Sequence, residues 1–509
     1  MSPDLILGID SSTTACKAIA WDAQGSAVAE GRCPIATATP QPGWHEQNAT
    51  DWWEALCAAV QEVTQQIDPS RLAGLAIAHQ RETFVPVNAH DKPLCPAILW
   101  MDERAALLLP EIGDLLGRAR FHRVTGKPLS VNLMLPKIAW LRRFRPEAFD
   151  STVYYLDVHA FLVQRLTGEY ATGWGCACPG GLFDLKRHTW AEELYAPIGV
   201  RPEQLPRAYA PGTILGNVTP EAARATGLPA GLPVAAGLGD GQAAALGANT
   251  TTTGEACLTL GTSVISGTFS ERFVTGRAFR TMIGSQAYLL ETALLSGGYT
   301  LSWLRRFLGL DENTSQENLD AQASAIPLGS DGLVLVPYWN SVLGPYWDAS
   351  ASGIVVGWRG IHRPAHLYRA VLEGIAFEQR LNTEGVEAAL GSNIERYIAV
   401  GGGAKNALWL QIIADITGKQ VWRAATHEAA ALGAGILAAV GAGLYPTLRQ
   451  AAAAMSHYQP DAFIPDPTRH DAYSKLYTTV YRTLFPALQP ALRALADLAQ
   501  PASAKGAVT

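Results

Sequence analysis

Two aspartates, Asp10 and Asp240, each end an apolar stretch and enter a turn of small residues. They stand in the runs Gly8-Ile-Asp-Ser-Ser-Thr-Thr and Gly237-Leu-Gly-Asp-Gly-Gln. Phosphoryl transfer from a nucleotide to an alcohol needs one carboxylate to hold Mg²⁺ and often a second to accept the proton of the attacking hydroxyl. The pair therefore predicts a kinase of small polyols.

The turn after Asp10 has the composition of a phosphate site. The hydroxyl groups of Ser12, Thr13 and Thr14, with the backbone N–H groups of a tight turn, can form an anion-binding nest, and Lys17 adds a nearby positive charge. Asp10 would then hold Mg²⁺ against the phosphates. An aspartate followed by hydroxyl residues is also ordinary turn chemistry, so this turn alone leaves a purely structural interpretation open.

Two further loops have similar features. Gly261-Thr262-Ser263 follows an apolar run at residues 257–260, and Gly401-Gly402-Gly403-Ala-Lys-Asn406 ends another strand-like segment. Glycines let a phosphate or a flat adenine approach the main chain closely, and Asn406 offers both a donor and an acceptor. Three such loops in one chain favour a nucleotide site.

A strand-turn-strand pattern opens each half of the chain, over residues 5–21 and again over residues 257–269. This repetition predicts a duplicated lobe with a nucleotide cleft between the copies: an N-terminal lobe over residues 1–248 and a C-terminal lobe over residues 249–509. Hydrophobic periodicity predicts further elements in both lobes. The predicted strands are residues 72–78, 153–157, 233–238, 288–295, 332–337 and 396–400, and the predicted helices are residues 52–67, 365–385 and 429–444.

The composition indicates a globular α/β protein. A chain of 509 residues exceeds what one core usually organises, and 48% hydrophobic residues with 48 Gly and 31 Pro are typical of a fold rich in tight turns. The formal charge of −6 includes no basic block, which argues against nucleic acid or an anionic membrane as a partner. No signal-peptide pattern is present, and the apolar stretch 429–444 is shorter than the roughly 18 residues of a membrane span. We therefore expect a cytoplasmic protein.

The chain resembles the FGGY carbohydrate kinase family, which includes glycerol kinase, xylulokinase and gluconokinase. The resemblance extends from about residue 5 to about residue 444 and rests on segments that occur in the family's order. In the first half these are Gly8-Ile-Asp-Ser-Ser-Thr-Thr, Pro42-Gly-Trp-His-Glu-Gln, His79-Gln-Arg-Glu-Thr, Trp100-Met-Asp-Glu-Arg and Gly239-Asp-Gly-Gln. In the second half they are Gly261-Thr-Ser, Pro345-Tyr-Trp-Asp, Leu372-Glu-Gly-Ile-Ala and Gly401-Gly-Gly-Ala-Lys-Asn.

This resemblance implies an α/β fold of two ribonuclease-H-like lobes, as in actin-like ATPases, with the nucleotide and substrate cleft between them. It implies that Asp240 is the general base and that Asp10 orients Mg²⁺. ATP would be held by the first turn and by a second set of residues in the other lobe. These are Gly261, Thr262, Gly298, Gly402, Gly403 and Asn406.

The resemblance also implies a polyol pocket. Arg81 can donate hydrogen bonds to hydroxyl oxygens, Glu82 can accept hydrogen bonds from hydroxyl groups, and the Trp100 ring can pack on the carbon skeleton. Without the family, an Arg-Glu pair is commonly a salt bridge and a tryptophan is commonly core packing. The predicted substrate-binding set is Gln80, Arg81, Glu82, Trp100, Asn132, Asp240 and Gln242.

Departures from the family pattern bear on the substrate. Residues 80–83 are closer to glycerol kinase than to xylulokinase, yet Asn132 stands where glycerol kinases place a tyrosine that helps bind the triol. The loss of that ring leaves room for a longer substrate, and Asn132 could bond an additional hydroxyl or carbonyl, or simply satisfy a loop backbone. A four- or five-carbon ketose or polyol is therefore favoured, with xylulose as the leading candidate and glycerol or a tetritol as the alternative.

Two alternatives of another class stay open at this point. An actin-like ATPase would share the phosphate hairpins but would not require Arg81, Glu82 and Trp100 to converge on a small pocket. A non-catalytic, sugar-responsive regulator should have lost Asp10 or Asp240, and both are present. The sequence therefore predicts a phosphotransferase with an alcohol group as acceptor, and a homodimer is open as its oligomeric state because such families frequently form one.

Overall fold

Each half of the chain builds a lobe around a six-stranded mixed sheet. The computed structural model describes residues 3–309 and 316–499. The strands of the first sheet are β1 Leu5–Ser11, β2 Ala15–Asp22, β3 Ala27–Pro34, β4 Leu72–His79, β5 Ile214–Asn217 and β6 Pro233–Gly239. The strands of the second sheet are β7 Glu255–Leu260, β8 Val264–Ser270, β9 Arg280–Ile283, β10 Tyr288–Leu294, β11 Arg396–Val400 and β12 Gln420–Arg423.

The two sheets share one topology. Their strand orders are β5-β6-β4-β1-β2-β3 and β9-β10-β8-β7-β11-β12. In each sheet an antiparallel hairpin is extended by a third antiparallel strand on one side and by two parallel strands on the other. The strands β5 and β9 are additions at opposite edges of this five-stranded core. The predicted α/β fold of two duplicated, ribonuclease-H-like lobes is confirmed.

Seven helices pack closest to the two sheets or lead to the site. They are α1 Ala49–Gln66, α2 Val158–Thr167, α3 Asp240–Gly247, α4 Gly297–Phe307, α5 Pro364–Leu390, α6 Ala407–Thr417 and α7 Ala429–Gly441. Further helices are Leu109–Leu116, Arg118–Thr125, Met134–Phe144, Pro146–Asp150, Trp174–Ala177, Glu192–Tyr195, Pro220–Thr226, Gln316–Ser324, Leu448–Met455, Pro467–Leu476 and Arg482–Ala499. Shorter strands are Glu46–Gln47, Phe84–Val87, Ala97–Ile98, Tyr154–Asp157, Ala171–Gly173, Phe183–Asp184, Thr189–Trp190, Arg207–Tyr209, Val334–Val336 and Ile354–Val356.

The central strand β1 is buried on both faces, which explains its continuous apolar sequence. Leu5, Leu7 and Ile9 pack in the same cluster as α1, whereas Ile6 packs with α7 on the opposite face. A strand that is covered on both sides needs apolar residues at successive positions rather than at alternate ones. The strand can therefore present polar groups only at its end, and this is where Asp10 lies.

Most of the predicted elements form. The helices predicted over residues 52–67 and 365–385 are α1 and α5, and the strand predicted over residues 396–400 is β11. The strand predicted over residues 332–337 is only Val334–Val336, because Ser330–Gly332 form a 3-10 turn before it. Local patterns thus located the elements, while a turn with left-handed residues shortened one of them.

Helix α7 lies late in the chain but packs against the sheet of the first lobe. It approaches β1 so closely that a Cβ atom on Gly8 would lie 1.9 Å from the carbonyl oxygen of Ala431. It also crosses α3, where a Cβ atom on Gly433 would lie 1.9 Å from the carbonyl oxygen of Ala243. The core of the first lobe is thus completed by a helix from the second half, and the division of the chain at residue 248 stays a prediction.

The stretch predicted as a buried apolar helix, residues 429–444, forms α7, and most of its residues are inaccessible to solvent. Across residues 3–309 and 316–499, every helix is too short or too polar to cross a membrane.

The close crossing of α3 and α7 can be tested with Gly433→Ala. The added methyl group would collide with the Ala243 carbonyl oxygen, so the helices must separate, and overpacking of this kind costs about 1–3 kcal/mol. We expect a lower midpoint of thermal unfolding, although alanine is the better helix former. The control is Gly360→Ala, because a Cβ atom there meets no atom within 4 Å. Equal unfolding midpoints for the two variants would contradict the close crossing.

Candidate active site

Three strands of the first lobe end at the same edge of the sheet. β1, β4 and β6 run parallel, and Ser11 and Gly239 are both in register with His79. Ligands of open α/β sheets bind beyond the carboxyl ends of parallel strands. The residues at the ends of these three strands or directly after them therefore meet at one place: Asp10 to Thr14, Gln80 to Glu82 and Asp240.

A cavity of about 160 Å³ lies at this edge, between the two lobes. Its walls come from both halves of the chain: the first lobe supplies mostly polar groups and the second supplies several aliphatic ones. The lining residues are Thr13, Arg81, Glu82, Trp100, Asn132, Asp240, Ser263, Ile265, Arg280, Ala293, Leu295 and Leu343. Five of the seven predicted substrate-binding residues are among them. A cavity of this volume holds about five water molecules at about 30 Å³ each, which is the scale of a small sugar.

Asp240 is the first residue of α3, directly after β6. Its Oδ1 atom accepts a hydrogen bond from the backbone N–H of Gly241 at 2.7 Å and lies 3.0 Å from Nε of Arg81. Its side chain remains 42% exposed, so the carboxylate is open toward the cavity. A partly open carboxylate that is held by a guanidinium group can accept a proton from a bound hydroxyl.

Asp10 lies at the end of β1 and has a buried oxygen, Oδ1, with no hydrogen-bond partner. Burial, reinforced by the nearby charge of Asp240, raises the pKa of Asp10 to about 7. An unpaired carboxylate oxygen beside a second carboxylate suits a cation. The described part of the chain has no cluster of three or more His, Cys, Asp or Glu side chains arranged as metal ligands. An Mg²⁺ ion would fit Asp10, because this ion usually takes one or two carboxylates and completes its shell with water and phosphate oxygens.

Arg81 is buried between two carboxylates. Its Nη1 atom donates to Oε2 of Glu291 at 2.6 Å, and its Nε atom contacts Asp240. A second arginine, Arg280, donates through Nη2 to Oε1 of Glu291 and through Nη1 to Oε1 of Glu82 at 3.2 Å. The five side chains form one row of alternating charge across the two lobes.

Glu82 has a backbone conformation that non-glycine residues seldom adopt. Its φ angle is +56°, in the left-handed region, and the residue is only 6% exposed. Such conformations cost roughly 1–3 kcal/mol and cluster at functional sites, where the surroundings fix them. Here the ion pair with Arg280 helps to hold the carboxylate toward the cavity.

Gln80 lies behind the cavity wall rather than in it. Its Oε1 atom accepts from the hydroxyl of Thr13 at 3.1 Å, and its Nε2 atom donates to Oε1 of Gln47 at 2.9 Å. The Thr13 hydroxyl accepts in turn from Nε1 of Trp100 at 3.1 Å. Gln80 therefore orients Thr13 and Trp100, and Thr13, predicted to bind phosphate, lines the sugar-sized cavity.

Asn132 lines the cavity and is tied to the loop that carries Trp100. Its Nδ2 atom donates to the carbonyl oxygen of Trp100 at 3.2 Å. Lys137, which is fully buried, donates to the carbonyl oxygens of Leu99, Trp100 and Asn132 at 2.6, 3.0 and 2.8 Å. Burial lowers the pKa of Lys137 to about 7. The lysine thus fixes two loops of the cavity wall.

Gln242 is not brought to the cavity. Its amide nitrogen donates to the carbonyl oxygens of Gly175 and Ile283 at 2.7 and 3.1 Å, and the side chain is buried. It joins α3 to the stretch 173–178 and to β9 of the second lobe. The structure therefore gives Gln242 the contacts of a positioning residue.

The remaining residues of the first turn differ in their placement. Ser12 donates from its hydroxyl to the carbonyl oxygen of Ala15 at 2.9 Å, which closes the turn, and Thr14 is exposed. Lys17 lies opposite Asp10 in the β1-β2 hairpin, but its ammonium group contacts Glu428 at 2.6 Å. Its positive charge is thus shared with a carboxylate at the start of α7.

The second-lobe turn and the start of α4 are in contact. Backbone N–H groups of Gly298 and Tyr299 donate to the carbonyl oxygens of Gly261 and Thr262 at 3.0 and 2.9 Å. A Cβ atom on Gly298 would lie 2.3 Å from the Gly261 oxygen, so only glycine permits this approach. The structure brings these predicted nucleotide-binding residues together, with Thr262 exposed.

The third glycine-rich loop, residues 401–406, has unobstructed backbone at Gly402 and ends in a helix cap. A Cβ atom on Gly402 would meet nothing within 4 Å, whereas one on Gly403 would meet Leu260 and Trp409. Asn406 caps α6, because its Oδ1 atom accepts from the backbone N–H of Trp409 at 2.9 Å. Its Nδ2 atom donates to Asp320 at 2.9 Å, so both ends of the Asn406 amide make contacts within the protein.

Arg280 and Glu291 were not predicted from the sequence as site residues. The signal for Glu291 was present, since one acidic residue interrupts the apolar strand Tyr288–Leu294 and a buried charge needs a partner. Nothing local identified that partner, because Arg81 is 210 residues away in the chain.

The actin-like pair of lobes, with a sugar-sized cavity where three first-lobe strands end, defines an ATP-dependent kinase of a small carbohydrate. Comparison with known proteins makes the assignment specific. The N-terminal domain of the FGGY family of carbohydrate kinases matches residues 5–247, and its C-terminal domain matches residues 256–442. The chain belongs to the FGGY family of carbohydrate kinases.

Relatives with different named substrates are similar over nearly the whole chain. Xylulose kinase of Escherichia coli (strain K12) is 30% identical, over 92% of this chain and 96% of the relative. Gluconokinase of Bacillus subtilis (strain 168) is 27% identical, over 87% of each. The crystal structure of xylulose kinase from Rhodospirillum rubrum has a TM-score of 0.89 at 28% identity and covers 96% of this chain and 99% of that one. The protein is therefore an enzyme that phosphorylates a carbohydrate with ATP, and neither alternative class is supported.

The raised pKa of Asp10 predicts how stability depends on pH. The folded protein binds this proton more tightly than the unfolded chain, whose value is near 3.8, so the stabilisation is complete below about pH 4 and is lost as the pH rises through about 7. Asp10→Asn removes this titration. In EDTA we expect the unfolding midpoint of the variant to rise relative to wild type between pH 5 and pH 8. The full shift corresponds to at most about 4 kcal/mol, reduced by the partial exposure of the residue. A difference that stays constant with pH would contradict the raised pKa.

Proposed function

We propose that the enzyme transfers a phosphoryl group from ATP to a hydroxyl of a four- or five-carbon ketose or polyol, with xylulose as the named candidate. The observation that carries this proposal is the cavity that joins Asp240 to Arg81, Glu82, Trp100 and Asn132. It is lined by side chains of both lobes. Relatives named xylulose kinase support the choice of xylulose.

Asp240 is the general base in this proposal. A carboxylate is a weak base at neutral pH, with an unperturbed pKa of about 4. It is sufficient because the hydroxyl needs to lose its proton only late, as bonding to phosphorus develops. The Arg81 guanidinium group holds Asp240 in place by a contact of 3.0 Å, so the base is oriented before the substrate arrives.

Each wall of the cavity has a separate role in binding. Glu82 can accept a hydrogen bond from one hydroxyl group, and the amide oxygen of Asn132 can accept a hydrogen bond from another. The Trp100 ring can pack on the carbon skeleton. On the opposite side, Ile265 and Leu343 are aliphatic and exclude water from the reacting hydroxyl, which favours transfer over hydrolysis.

Mg²⁺ would neutralise developing phosphate charge and align the phosphates of ATP. Asp10 is the residue that fits this ion, because its Oδ1 atom is buried and has no partner among the described residues. Phosphates would meet the backbone of the first turn and of the Gly261 turn. The predicted nucleotide set is Ser12, Thr13, Thr14, Lys17, Gly261, Thr262, Gly298, Gly402, Gly403 and Asn406.

A cytoplasmic location suits an enzyme that consumes ATP. The net charge of −6 and the lack of a basic block in the sequence support the proposal that neither nucleic acid nor a membrane surface is a partner. The homodimer stays a prediction that gel filtration with light scattering tests directly.

Asp240→Asn tests the proposed base. The amide keeps the size of the side chain but cannot accept the proton, so we expect kcat to fall by about 10²–10⁴ while ATP affinity stays within a few-fold. The measurement is sugar-dependent ADP release together with a nucleotide titration. Asp461→Asn, at an exposed position outside the cavity, is the matched control. Retained sugar-dependent turnover in Asp240→Asn would reject the assignment.

A substrate panel tests the proposed sugar class. Ketopentoses, erythritol, glycerol and gluconate would be ranked by kcat/KM in the same assay. We expect a ketopentose to rank first. Glycerol in first place would favour the glycerol or tetritol alternative.

Asn132→Tyr tests whether the space beside Asn132 favours a substrate longer than glycerol. The ring would fill part of the cavity of about 160 Å³ beside Trp100, so we expect KM for a ketopentose to rise about tenfold or more. KM for glycerol should rise less or fall. Asn132→Ala is the comparison, because it removes the amide without adding volume. Equal changes in KM for the ketopentose and for glycerol would contradict the proposed effect of cavity volume.

A further inference from the structure

Glu291 holds both arginines of the cavity at once. It lies on β10, its side chain is completely buried, and each of its carboxylate oxygens accepts from a different guanidinium group. Arg81 and Arg280 donate these bonds from opposite lobes. Together the two arginines lower the pKa of Glu291 to about 2, in spite of its burial. The carboxylate is therefore ionised under all ordinary conditions.

Each guanidinium group already contacts two carboxylates of the protein. Arg81 also contacts Asp240, and Arg280 also donates to Glu82, so both arginines face two carboxylates. Four of these five side chains line the cavity and carry two positive and two negative charges, while Glu291 lies behind them and makes the group net negative.

The two buried lysines behind the cavity do not supply a counter-ion either. Lys137 donates to three backbone carbonyl oxygens, and Lys127 donates to those of Thr125 and Cys178 at 2.5 and 2.9 Å. Burial lowers the pKa of Lys127 to about 8. Both ammonium groups are held by backbone carbonyl oxygens, and the cavity lining includes neither lysine.

We propose that Glu291 determines specificity by neutralising Arg81 and Arg280, so that the cavity accepts uncharged sugars and rejects aldonates of the same length. The proposal rests on the proposed function, because it concerns the sugar end of the same site. A carboxylate ligand binds best to a guanidinium group that is not already paired, and here each guanidinium group already contacts two carboxylates of the protein. It would also enter a desolvated space beside Glu82 and Asp240, where an unpaired charge is costly. Selectivity then comes from a repulsive arrangement as well as from attractive contacts.

The test compares two five-carbon ligands that differ at one end, where xylitol has a CH2OH group and D-xylonate has a carboxylate. Their inhibition constants against the ketopentose would be measured for wild type and for Glu291→Gln. In wild type we expect D-xylonate to bind at least ten times more weakly than xylitol. In Glu291→Gln, which releases guanidinium donors, we expect D-xylonate to bind at least ten times more tightly than in wild type, while xylitol changes by less than threefold.

Three variants separate this role from a merely structural one. Glu291→Asp keeps the charge and should restore the exclusion of D-xylonate. Arg280→Gln removes a cation, so the affinity of this variant for D-xylonate should stay as weak as that of wild type. Glu255→Gln is the matched control, because Glu255 is also buried and ion-paired in the same sheet, with Arg396, outside the cavity. It should leave both inhibition constants unchanged.

The outcomes distinguish this inference from the proposed function. Equal affinity of wild type for xylitol and D-xylonate would overturn the inference, even if Glu291→Gln failed to fold. A folded Glu291→Gln with an unchanged D-xylonate constant would also overturn it. If no ketose is phosphorylated, the proposed function fails. Ligand affinities measured by calorimetry would then still decide whether Glu291 excludes the charged ligand.

Discussion

The buried guanidinium group of Arg81 is the interaction on which the site depends. It joins Asp240, the proposed base, to Glu291 of the opposite lobe through contacts of 3.0 and 2.6 Å. A buried charge that loses one partner typically costs 3–5 kcal/mol, so each member of this row constrains the others. The contact between the lobes and the orientation of the Asp240 carboxylate therefore depend on the same ion pairs.

This row of charges can form only because the backbone brings three strand ends together. β1, β4 and β6 are covered on both faces, so their polar residues are confined to the carboxyl edge, where Asp10 and Asp240 follow apolar strands. The second lobe approaches that edge through β9 and β10. Small residues in α3 and α7 let the chain return from the second half and complete the core of the first lobe. Packing far from the chemistry thus sets the spacing of the charged groups.

Much of the fold and part of the site could be predicted from the sequence because their signals are local. Continuous apolar runs that end in Asp10 and Asp240 identify strands and their ends, and the glycine-rich turns mark close backbone approaches. The direction of a side chain was harder to predict. Gln242 follows Asp240 closely, yet its amide faces β9 because the carbonyl oxygen of Ile283 lies there. Lys17 pairs with Glu428, which is 411 residues away, so no local pattern could show that its charge is shared.

The acidity of the strand edge bears on what can enter the cleft. Asp10 and Asp240 are near enough for the charge of Asp240 to add to the effect of burial on the pKa of Asp10. A phosphate chain brought to this edge would add more negative charge, and repulsion in a partly desolvated space is strong. A proton or a cation on Asp10 relieves the same repulsion. The raised pKa of Asp10 and its suitability for a metal ion therefore have the same electrostatic cause. The sugar end shows the complementary arrangement, since its positive groups are already balanced by carboxylates. The row of charges that holds Asp240 therefore links the two proposals for this cleft, a cation at Asp10 and an uncharged ligand beside Arg81 and Arg280.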